Sequence, residues 1–317
     1  MKIKTIKNAG FCYGVERAYN LAKKELKIEN KTVYSLGDLI HNKQVVNELN
    51  NLGSIPIKSI EELPVGVGLV PPHDSIIIRA HGISKEVNQK IKEKNIDIID
   101  ATCPFVKVPQ NAVKEYGKKG YFIYIAGDEG HPEVEGIKSY VNKTQRKIIN
   151  NVKQFYVGVG APAYPKENKN TYPKENKNAY PKENYPKKAA LVSQTTLSFE
   201  TFSEIALFLM REVEELVVIN SICDATNIRQ KETRKLAKES DIMIVIGGRH
   251  SANTKRLNEI AKEYTESIQI ETEYELKQNW FKDKKNIGIT AGASTPNWII
   301  ERVENKIKEF FEGQIYE

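Results

Sequence analysis

Buried-type strands that end in polar loops and lead into helices recur along this chain. Apolar, strand-like runs lie at residues 32–37, 75–82, 95–100, 121–127, 241–248 and 286–292. Helical spacing of apolar residues predicts helices at 14–28 and 43–52, and a final helix that runs through Phe311. Alternating strands and helices favour parallel sheets, which bind ligands at the carboxyl ends of their strands. The sequence therefore predicts an α/β fold with its functional residues in the loops after the strands.

Length and composition limit the class of protein further. A chain of 317 residues with 40% hydrophobic and 28% charged residues is typical of a globular protein of two or three domains. No apolar run approaches the ~18–20 residues that a membrane span needs, and residues 1–6 lack the features of a signal peptide. Three cysteines, an odd number, argue against a disulfide framework. We therefore expect a cytoplasmic protein without a membrane span.

A tandem repeat interrupts the α/β pattern and accounts for much of the charge. Residues 164–171 recur as 172–179 and then in shortened form from Tyr180 and Tyr185. A repeat with so few apolar residues cannot build a hydrophobic core, so it predicts a flexible insertion at residues 161–188. Repeat expansion in a tolerant loop explains this insertion better than binding to a partner does. Residues 164–188 contribute +4 to the net charge of +7. The remaining +3 suits a small anionic substrate and does not indicate nucleic-acid binding.

The three cysteines stand in similar settings. Cys12, Cys103 and Cys223 each precede a run that is typical of a helix, and a helix N-terminus favours thiolate over thiol. The cysteines are 91 and 120 residues apart, and the second interval becomes 95 when the 25 residues 164–188 are left out. This spacing predicts three similar α/β units around a shared centre.

Three separate thiolates allow more than one kind of centre. Zinc usually takes a close Cys-x-x-Cys pair, which is absent here, but a structural zinc with three remote cysteines and a histidine stays open. A 4Fe-4S cluster normally takes four thiolates, so three would leave one iron open to substrate. Three small buried hydrophobic residues are the third possibility, which the matching contexts disfavour.

Polar side chains after the predicted strands form a candidate anion site. They are His41, His81, His131, Ser251, Asn253 and Ser294. Such neutral or cationic donors suit phosphate or diphosphate oxygens, although single loop residues of these types often cap helices or face solvent.

Acids and hydroxyls in two other loops suggest proton transfer. Glu133 and Glu135 follow His131, and a carboxyl group in a closed pocket can act as a proton donor. Acids at the first turn of a helix are also favoured by its dipole alone. Thr195 lies in a hydroxyl-rich turn, residues 193–198, whose side chains either face a site or cap a helix. The sequence leaves both alternatives open.

Taken together, these motifs resemble the LytB/IspH family of 4-hydroxy-3-methylbut-2-enyl diphosphate reductases. The matching stretches are residues 9–15, 39–42, 79–82, 100–104, 130–136, 193–198, 222–226 and 290–294. They occur in the family's order and span nearly the whole chain apart from the repeat.

The resemblance implies an architecture and a set of cluster ligands. The expected fold is three similar parallel-sheet α/β domains in a cloverleaf around a central iron-sulfur cluster, with domains at 1–102, 103–219 and 220–317. Cys12, Cys103 and Cys223 match the ligands of a 4Fe-4S cluster with one open iron site.

The resemblance also implies roles for the other candidates. Those matching catalytic positions around the substrate's hydroxyl end are His131, Glu133 and Thr195. Those matching substrate-binding positions are His41, His81, His131, Thr195, Ser251, Asn253 and Ser294. Two departures stand out: Ala252 lies where relatives often have serine, and Pro109 is expected to kink or shorten the helix after Cys103.

The implied activity is that of an iron-sulfur oxidoreductase of isoprenoid biosynthesis acting on CH or CH2 groups. It is the two-electron reductive dehydroxylation of (E)-4-hydroxy-3-methylbut-2-enyl diphosphate to isopentenyl and dimethylallyl diphosphates, the last step of the non-mevalonate pathway. A ferredoxin or flavodoxin would supply the electrons, without a nucleic-acid or membrane partner. The alternatives are a non-enzymatic iron-sulfur sensor, for which no output module is evident, and a zinc-stabilised phosphate-binding protein.

Overall fold

The computed structural model describes residues 2–40, 42–63, 74–94, 96–155 and 185–312. The strands in this part of the chain are β1 (Lys2–Thr5), β2 (Val33–Leu36), β3 (Ser54–Ile57), β4 (Ser75–Ile78), β5 (Asp97–Asp100), β6 (Phe122–Ala126), β7 (Arg146–Ile149), β8 (Lys188–Ser193), β9 (Glu215–Val218), β10 (Ile242–Ile246), β11 (Glu266–Ile270) and β12 (Asn286–Ala291). The α-helices are α1 (Tyr13–Glu25), α2 (Lys43–Asn51), α3 (Lys85–Glu93), α4 (Pro104–Lys118), α5 (Pro132–Lys138), α6 (Phe199–Glu212), α7 (Asp224–Ala237), α8 (Ala252–Lys262) and α9 (Asn297–Glu312).

The strands form three four-stranded sheets in which every pair is parallel. Their orders are β1-β12-β10-β11, β3-β2-β4-β5 and β7-β6-β8-β9. The predicted α/β class with three parallel sheets is confirmed.

Interior strands of these sheets are mostly apolar and buried, as expected for parallel sheets with helices on both faces. All five residues of β10 are buried, as are all four of β4. The edge strands β3, β7, β9 and β11 carry polar or proline residues and were not predicted. Pro56 is tolerated in β3 because an edge strand does not need every backbone N–H.

The described chain divides into two compact units. One contains residues 1–107 and 222–317 and the other residues 108–221. The first unit holds two sheets, and in one of these β1 pairs with β12, so that the N-terminal strand lies beside a strand from the end of the chain. The three domain boundaries stay a prediction, since the strand pairing joins residues 2–5 to the last predicted domain.

Two sequence expectations differ from the structure. Pro109 lies inside α4, which continues as a helix to Lys118, so the proline does not end the helix. Residues 161–184 of the predicted insertion lie outside the described residues. The last four, 185–188, belong to the fold, because Lys188 begins β8 and the ring of Tyr185 packs against Phe208 with 6.0 Å between ring centroids. The insertion stays a prediction, and of its predicted residues Lys188 lies in a strand.

No helix among the described residues is long and apolar enough to cross a membrane.

Candidate functional site

Each cysteine lies at the start of a helix, as the sequence predicts. Cys12 and Cys223 are the N-cap residues of α1 and α7, and Cys103 directly precedes α4. The backbone N–H of Cys12 donates to the carbonyl of Ala293 at 3.1 Å, and that of Cys103 donates to Ala80 at 2.9 Å. These bonds fix the loops before α1 and α4 to the chain segments after β12 and β4.

The fold brings the three thiols close together. The charges of Cys12 and Cys223 both act on the pKa of Cys103. Gly14, in the first turn of α1, faces Cys103 so closely that a Cβ atom there would lie 2.5 Å from the sulfur. All three thiols are free and partly buried. The first unit therefore gathers three soft sulfur donors from three helix starts.

The expected preference for thiolate is reversed in two of these residues. Burial raises the pKa of Cys103 and of Cys223, while hydrogen bonds from backbone N–H groups of the following helix lower it only in part. Desolvation thus outweighs the helix N-terminus, and the prediction of thiolates activated by the dipole is wrong for Cys103 and Cys223. Thiolates become favoured when a metal binds them, because coordination deprotonates a thiol.

These donors fit an iron-sulfur group better than a single ion. Among the described residues, no three His, Cys, Asp or Glu side chains are grouped to hold one metal ion. Two thiolates on one tetrahedral zinc are about 3.8 Å apart, whereas thiolates on different irons of a cluster stand farther apart. Sulfur donors from separate loops, with Cys103 packed closely against Gly14, suit the latter arrangement.

Asn253 and Ser251 lie together at the start of α8. Ser251 is the N-cap residue, and its Oγ accepts a hydrogen bond from the backbone N–H of Thr254 at 3.3 Å. Asn253 is 6% exposed, yet neither Oδ1 nor Nδ2 has a hydrogen-bond partner within the described chain. A buried amide without partners is unfavourable unless a ligand supplies them.

The loop that carries Ser294 lies beside this helix start. Ile246, the last residue of β10, pairs with Ala291, the last residue of β12, and its carbonyl accepts a hydrogen bond from the N–H of Gly292 at 2.8 Å. A Cβ atom at Gly292 would collide with the hydroxyl of Thr254 in α8. Ser251, Asn253 and Ser294 are thus presented by two adjacent loops at the carboxyl end of one sheet.

Two of the three histidines predicted for the anion site, His81 and His41, differ in what the structure describes. His81 follows β4 and is half-buried, next to Ala80, whose carbonyl holds Cys103. His41 lies outside the described residues, between Ile40 and the N-cap Asn42 of α2. Their roles in binding stay predictions.

The second unit holds a buried carboxyl group. Glu133, in the first turn of α5, is 1% exposed. Its Oε1 accepts a hydrogen bond from the backbone N–H of Thr195 at 2.7 Å, and its Oε2 accepts one from the Thr195 hydroxyl at 2.9 Å. Burial raises the pKa of Glu133 to about 7, while the two hydrogen bonds from Thr195 lower it. A carboxyl group with such a pKa can hold or release a proton near neutral pH.

His131 is held beside this acid. It is the N-cap residue of α5, and its Nδ1 accepts a hydrogen bond from the backbone N–H of Glu133 at 3.2 Å. The neutral ring in this geometry carries its proton on Nε2. The structure therefore brings His131, Glu133 and Thr195 together. Glu135, by contrast, forms an ion pair with Lys138 at 2.6 Å.

Gln194 was not predicted as a functional residue. It is buried, its Oε1 accepts from the N–H of Asp128 at 3.0 Å, and its Nε2 donates to the hydroxyl of Thr196 at 2.7 Å. Its backbone N–H also donates to Ala126 at 2.7 Å. Gln194 thereby fixes the turn that carries Thr195. This role could not be predicted from the sequence, because Asp128 and Ala126 lie 66 and 68 residues away in the chain.

Comparison with known proteins decides the family. A family model described as "LytB protein" matches residues 3–308. This chain belongs to the LytB family. The resemblance found in the motifs is thereby confirmed, and it covers both compact units.

Relatives of similar length match almost end to end. The chain is 41% identical over 309 residues to 4-hydroxy-3-methylbut-2-enyl diphosphate reductase of Aquifex aeolicus, covering 97% of this chain and 96% of that protein. It is also 41% identical over 303 residues to the reductase of the same name from Clostridioides difficile, covering 96% and 98%.

Solved structures of this family have the same fold. A structure titled as (E)-4-hydroxy-3-methyl-but-2-enyl diphosphate reductase, the terminal enzyme of the non-mevalonate pathway, matches with a TM-score of 0.67 at 39% identity, covering 97% of this chain and 99% of that one. A Plasmodium falciparum reductase matches with a TM-score of 0.79 at 29% identity, covering 96% and 86%. LytB proteins bind an iron-sulfur cluster, which agrees with the donor set described above.

Proposed function

We propose that this protein is a 4-hydroxy-3-methylbut-2-enyl diphosphate reductase, which forms isopentenyl and dimethylallyl diphosphates in the last step of the non-mevalonate pathway. The observation that carries this proposal is the likeness over 97% of the chain, at 41% identity, to a protein of that name. The buried acid beside Thr195 and the three gathered thiols are the chemistry that such a reduction requires.

Cys12, Cys103 and Cys223 would hold a 4Fe-4S cluster with one open iron site. When bound, the cluster would supply the two electrons and the Lewis acidity that weakens the bond to the leaving hydroxyl group. The support for this ligand set is the mutual proximity of the thiols and the close packing of Cys103 against Gly14.

The remaining side chains would bind substrate and move protons. Asn253, with Ser251 and Ser294 beside it, would donate hydrogen bonds to the diphosphate, and we include His81 and His41 in this set. Loss of the hydroxyl as water requires a proton at the leaving oxygen. Glu133 would supply it, through the Thr195 hydroxyl to which it is hydrogen-bonded, and His131 would hold the substrate's hydroxyl end.

The electron donor would be a small one-electron carrier, a ferredoxin or a flavodoxin, and we place the protein in the cytoplasm. Free, partly buried thiols support a reducing compartment.

An anaerobic preparation tests the proposal. We expect a coloured protein with iron and sulfide in equal amounts, which consumes the diphosphate substrate when a chemical reductant is supplied. A colourless, zinc-loaded protein that binds pyrophosphate would contradict the cluster and favour a zinc-stabilised phosphate-binding protein. An iron-loaded protein without turnover would instead indicate an iron-sulfur sensor.

A further inference from the structure

Arg229 is a buried cation in α7, six residues after Cys223. Only 3% of the residue is exposed. Its Nη2 donates to the carbonyl of Gly10 at 2.8 Å, and its Nη1 donates to the carbonyl of Ala225 at 3.0 Å. Gly10 lies two residues before Cys12, and Ala225 lies two residues after Cys223. The guanidinium therefore joins the backbone segments that carry two of the three thiols.

The charge of Arg229 is not matched by a hydrogen-bonded acid in these contacts. Both acceptors are neutral carbonyl oxygens, and Nε has no hydrogen-bond partner within the described chain. Glu232, whose charge does act on Arg229, holds the backbone N–H and the side-chain amide of Asn8 at 3.0 and 2.7 Å. A buried guanidinium in such surroundings is unfavourable unless an anion lies near it.

The cysteine sulfurs are candidates for that anion, because the guanidinium is hydrogen-bonded to the segments that carry Cys12 and Cys223. Burial lowers the pKa of Arg229, and the charges of Cys12 and Cys223 raise it, ahead of Glu232. In the other direction, the positive charge of Arg229 lowers the pKa of Cys223, against the larger effect of burial. The guanidinium and these two thiols thus interact through space, and both carbonyl bonds hold the guanidinium in that position.

We propose that Arg229 is a positioning residue for the iron-sulfur cluster, which compensates the negative charge that accumulates at Cys12 and Cys223. This inference rests on the proposed function, since it requires the cluster to be bound. Three thiolates make the bound group anionic, and every electron that it accepts increases the negative charge. The net charge around a cluster and the hydrogen bonds to it set its reduction potential. A positive charge fixed to the segments that carry Cys12 and Cys223 therefore makes electron uptake more favourable.

Three variants separate charge from structure. Arg229→Gln removes the positive charge. Arg229→Lys keeps the charge, but an ammonium group cannot bind both carbonyls as the planar guanidinium does. Arg234→Gln is the control, because it removes the same charge from the last turn of α7. Each protein is prepared anaerobically with its cluster. Iron and sulfide content, melting temperature and the midpoint potential are measured without substrate, the potential by spectroscopic redox titration.

We expect Arg229→Gln to take up an electron with an equilibrium constant about tenfold lower, which is a potential about 59 mV more negative for one electron. Arg229→Lys should keep the wild-type potential although its melting temperature falls, and Arg234→Gln should match wild type in both.

A wild-type potential in cluster-loaded Arg229→Gln would overturn the inference while leaving the proposed function intact. Equal lowering in the glutamine and lysine variants would also overturn it, because the effect would then follow lost contacts and not lost charge. If Arg229→Gln does not fold, Arg229→Met, which also removes the charge, replaces it, and a wild-type potential in that cluster-loaded variant would overturn the inference. A wild-type protein without iron would overturn both the proposed function and this inference.

Discussion

The carboxyl group of Glu133 receives both of its hydrogen bonds from one residue, Thr195, which donates its backbone N–H at 2.7 Å and its hydroxyl at 2.9 Å. The two residues are 62 positions apart in the chain, at the first turn of α5 and in the turn after β8. Burial raises the pKa of this carboxyl to about 7, so Glu133 can hold or release a proton near neutral pH.

Replacement of the acid should remove most of the turnover. Glu133→Gln keeps the size and one carbonyl oxygen but cannot release a proton, so we expect kcat to fall by about 10²- to 10⁴-fold. Cluster content and pyrophosphate binding should stay at wild-type levels. Glu135→Gln is the matched control. Glu135 lies two residues after Glu133 in the same helix, and its partly exposed carboxyl group forms an ion pair with Lys138. Near wild-type kcat in Glu133→Gln would contradict the assigned proton donor.

Thr195 should set the pH at which the acid titrates. Thr195→Val removes the hydroxyl bond to Oε2 and keeps the backbone bond to Oε1. Because both bonds lower the pKa of Glu133, their partial loss should raise this pKa above about 7. The corresponding limb of the kcat/KM profile should move to higher pH, whereas Thr195→Ser should leave it in place. A limb that is unmoved in the valine variant would show that the acid titrates independently of this hydroxyl.

Stability should depend on pH through the same carboxyl. Its pKa in the folded protein, about 7, lies above its ordinary value of 4.5, so the folded state keeps a proton that the unfolded state has lost between these values. The free energy of unfolding should therefore fall as the pH rises from about 4.5 to about 7, by about 3 kcal/mol at most. Denaturant titrations at several pH values should show this decrease in wild type and not in Glu133→Gln. Parallel curves for the two proteins would rule out the raised pKa.

A methyl group at Gly14 should displace a cluster ligand. In Gly14→Ala the new Cβ would lie 2.5 Å from Sγ and 2.9 Å from Cβ of Cys103, a distance at which one of them must move. We expect iron content and visible absorption to fall several-fold. Gly117→Ala in α4 is the control, because its Cβ would meet only the side chain of Val141 at 3.3 Å or more. Full iron content in Gly14→Ala would contradict a cluster held at Cys103.

Asn253 should contribute to diphosphate binding. Its buried amide has no partner in the described chain, so a bound diphosphate would satisfy it. A hydrogen bond to a charged group is worth about 1.5–3 kcal/mol, so Asn253→Ala should raise the Kd for pyrophosphate by about tenfold or more. Asn258→Ala, on the same helix, removes an amide that holds Ser267 at 2.8 Å and should leave this Kd unchanged. Titration calorimetry on cluster-loaded protein measures both, and equal Kd values would remove Asn253 from the site.

The interior strands of the fold could be predicted from the local sequence alone. Apolar runs such as β10 and β4 are buried on both faces, so their composition alone predicts them. The edge strands β7 and β9 begin with Arg146 and Glu215, and their short mixed sequences carry little signal. The pairing of β1 with β12 was also unpredictable, because residues 2–5 and 286–289 come from opposite ends of the chain.

The balance of forces at the cysteines could not be predicted from position in a helix. A helix N-terminus favours thiolate, and the sequence correctly places Cys103 and Cys223 there. Burial, which raises the pKa of both thiols, depends on what packs around them. Arg229 likewise reads as one of several charged residues in α7 until its burial and its contact with Gly10 are known.

The sequence by itself determined the parallel α/β class, the family and the positions of the three cysteines at helix starts, because hydrophobic periodicity and motif order are properties of the chain. It left open whether Glu133 is a catalytic acid or a helix-capping one. Tertiary structure decided that Glu133 is buried, that Thr195 is its hydrogen-bond donor and that the buried Arg229 donates to the carbonyl of Gly10 near Cys12. These two hydrogen-bonded pairs join residues 62 and 219 positions apart, and the desolvation that raises the pKa of Glu133 exists only once the chain has packed.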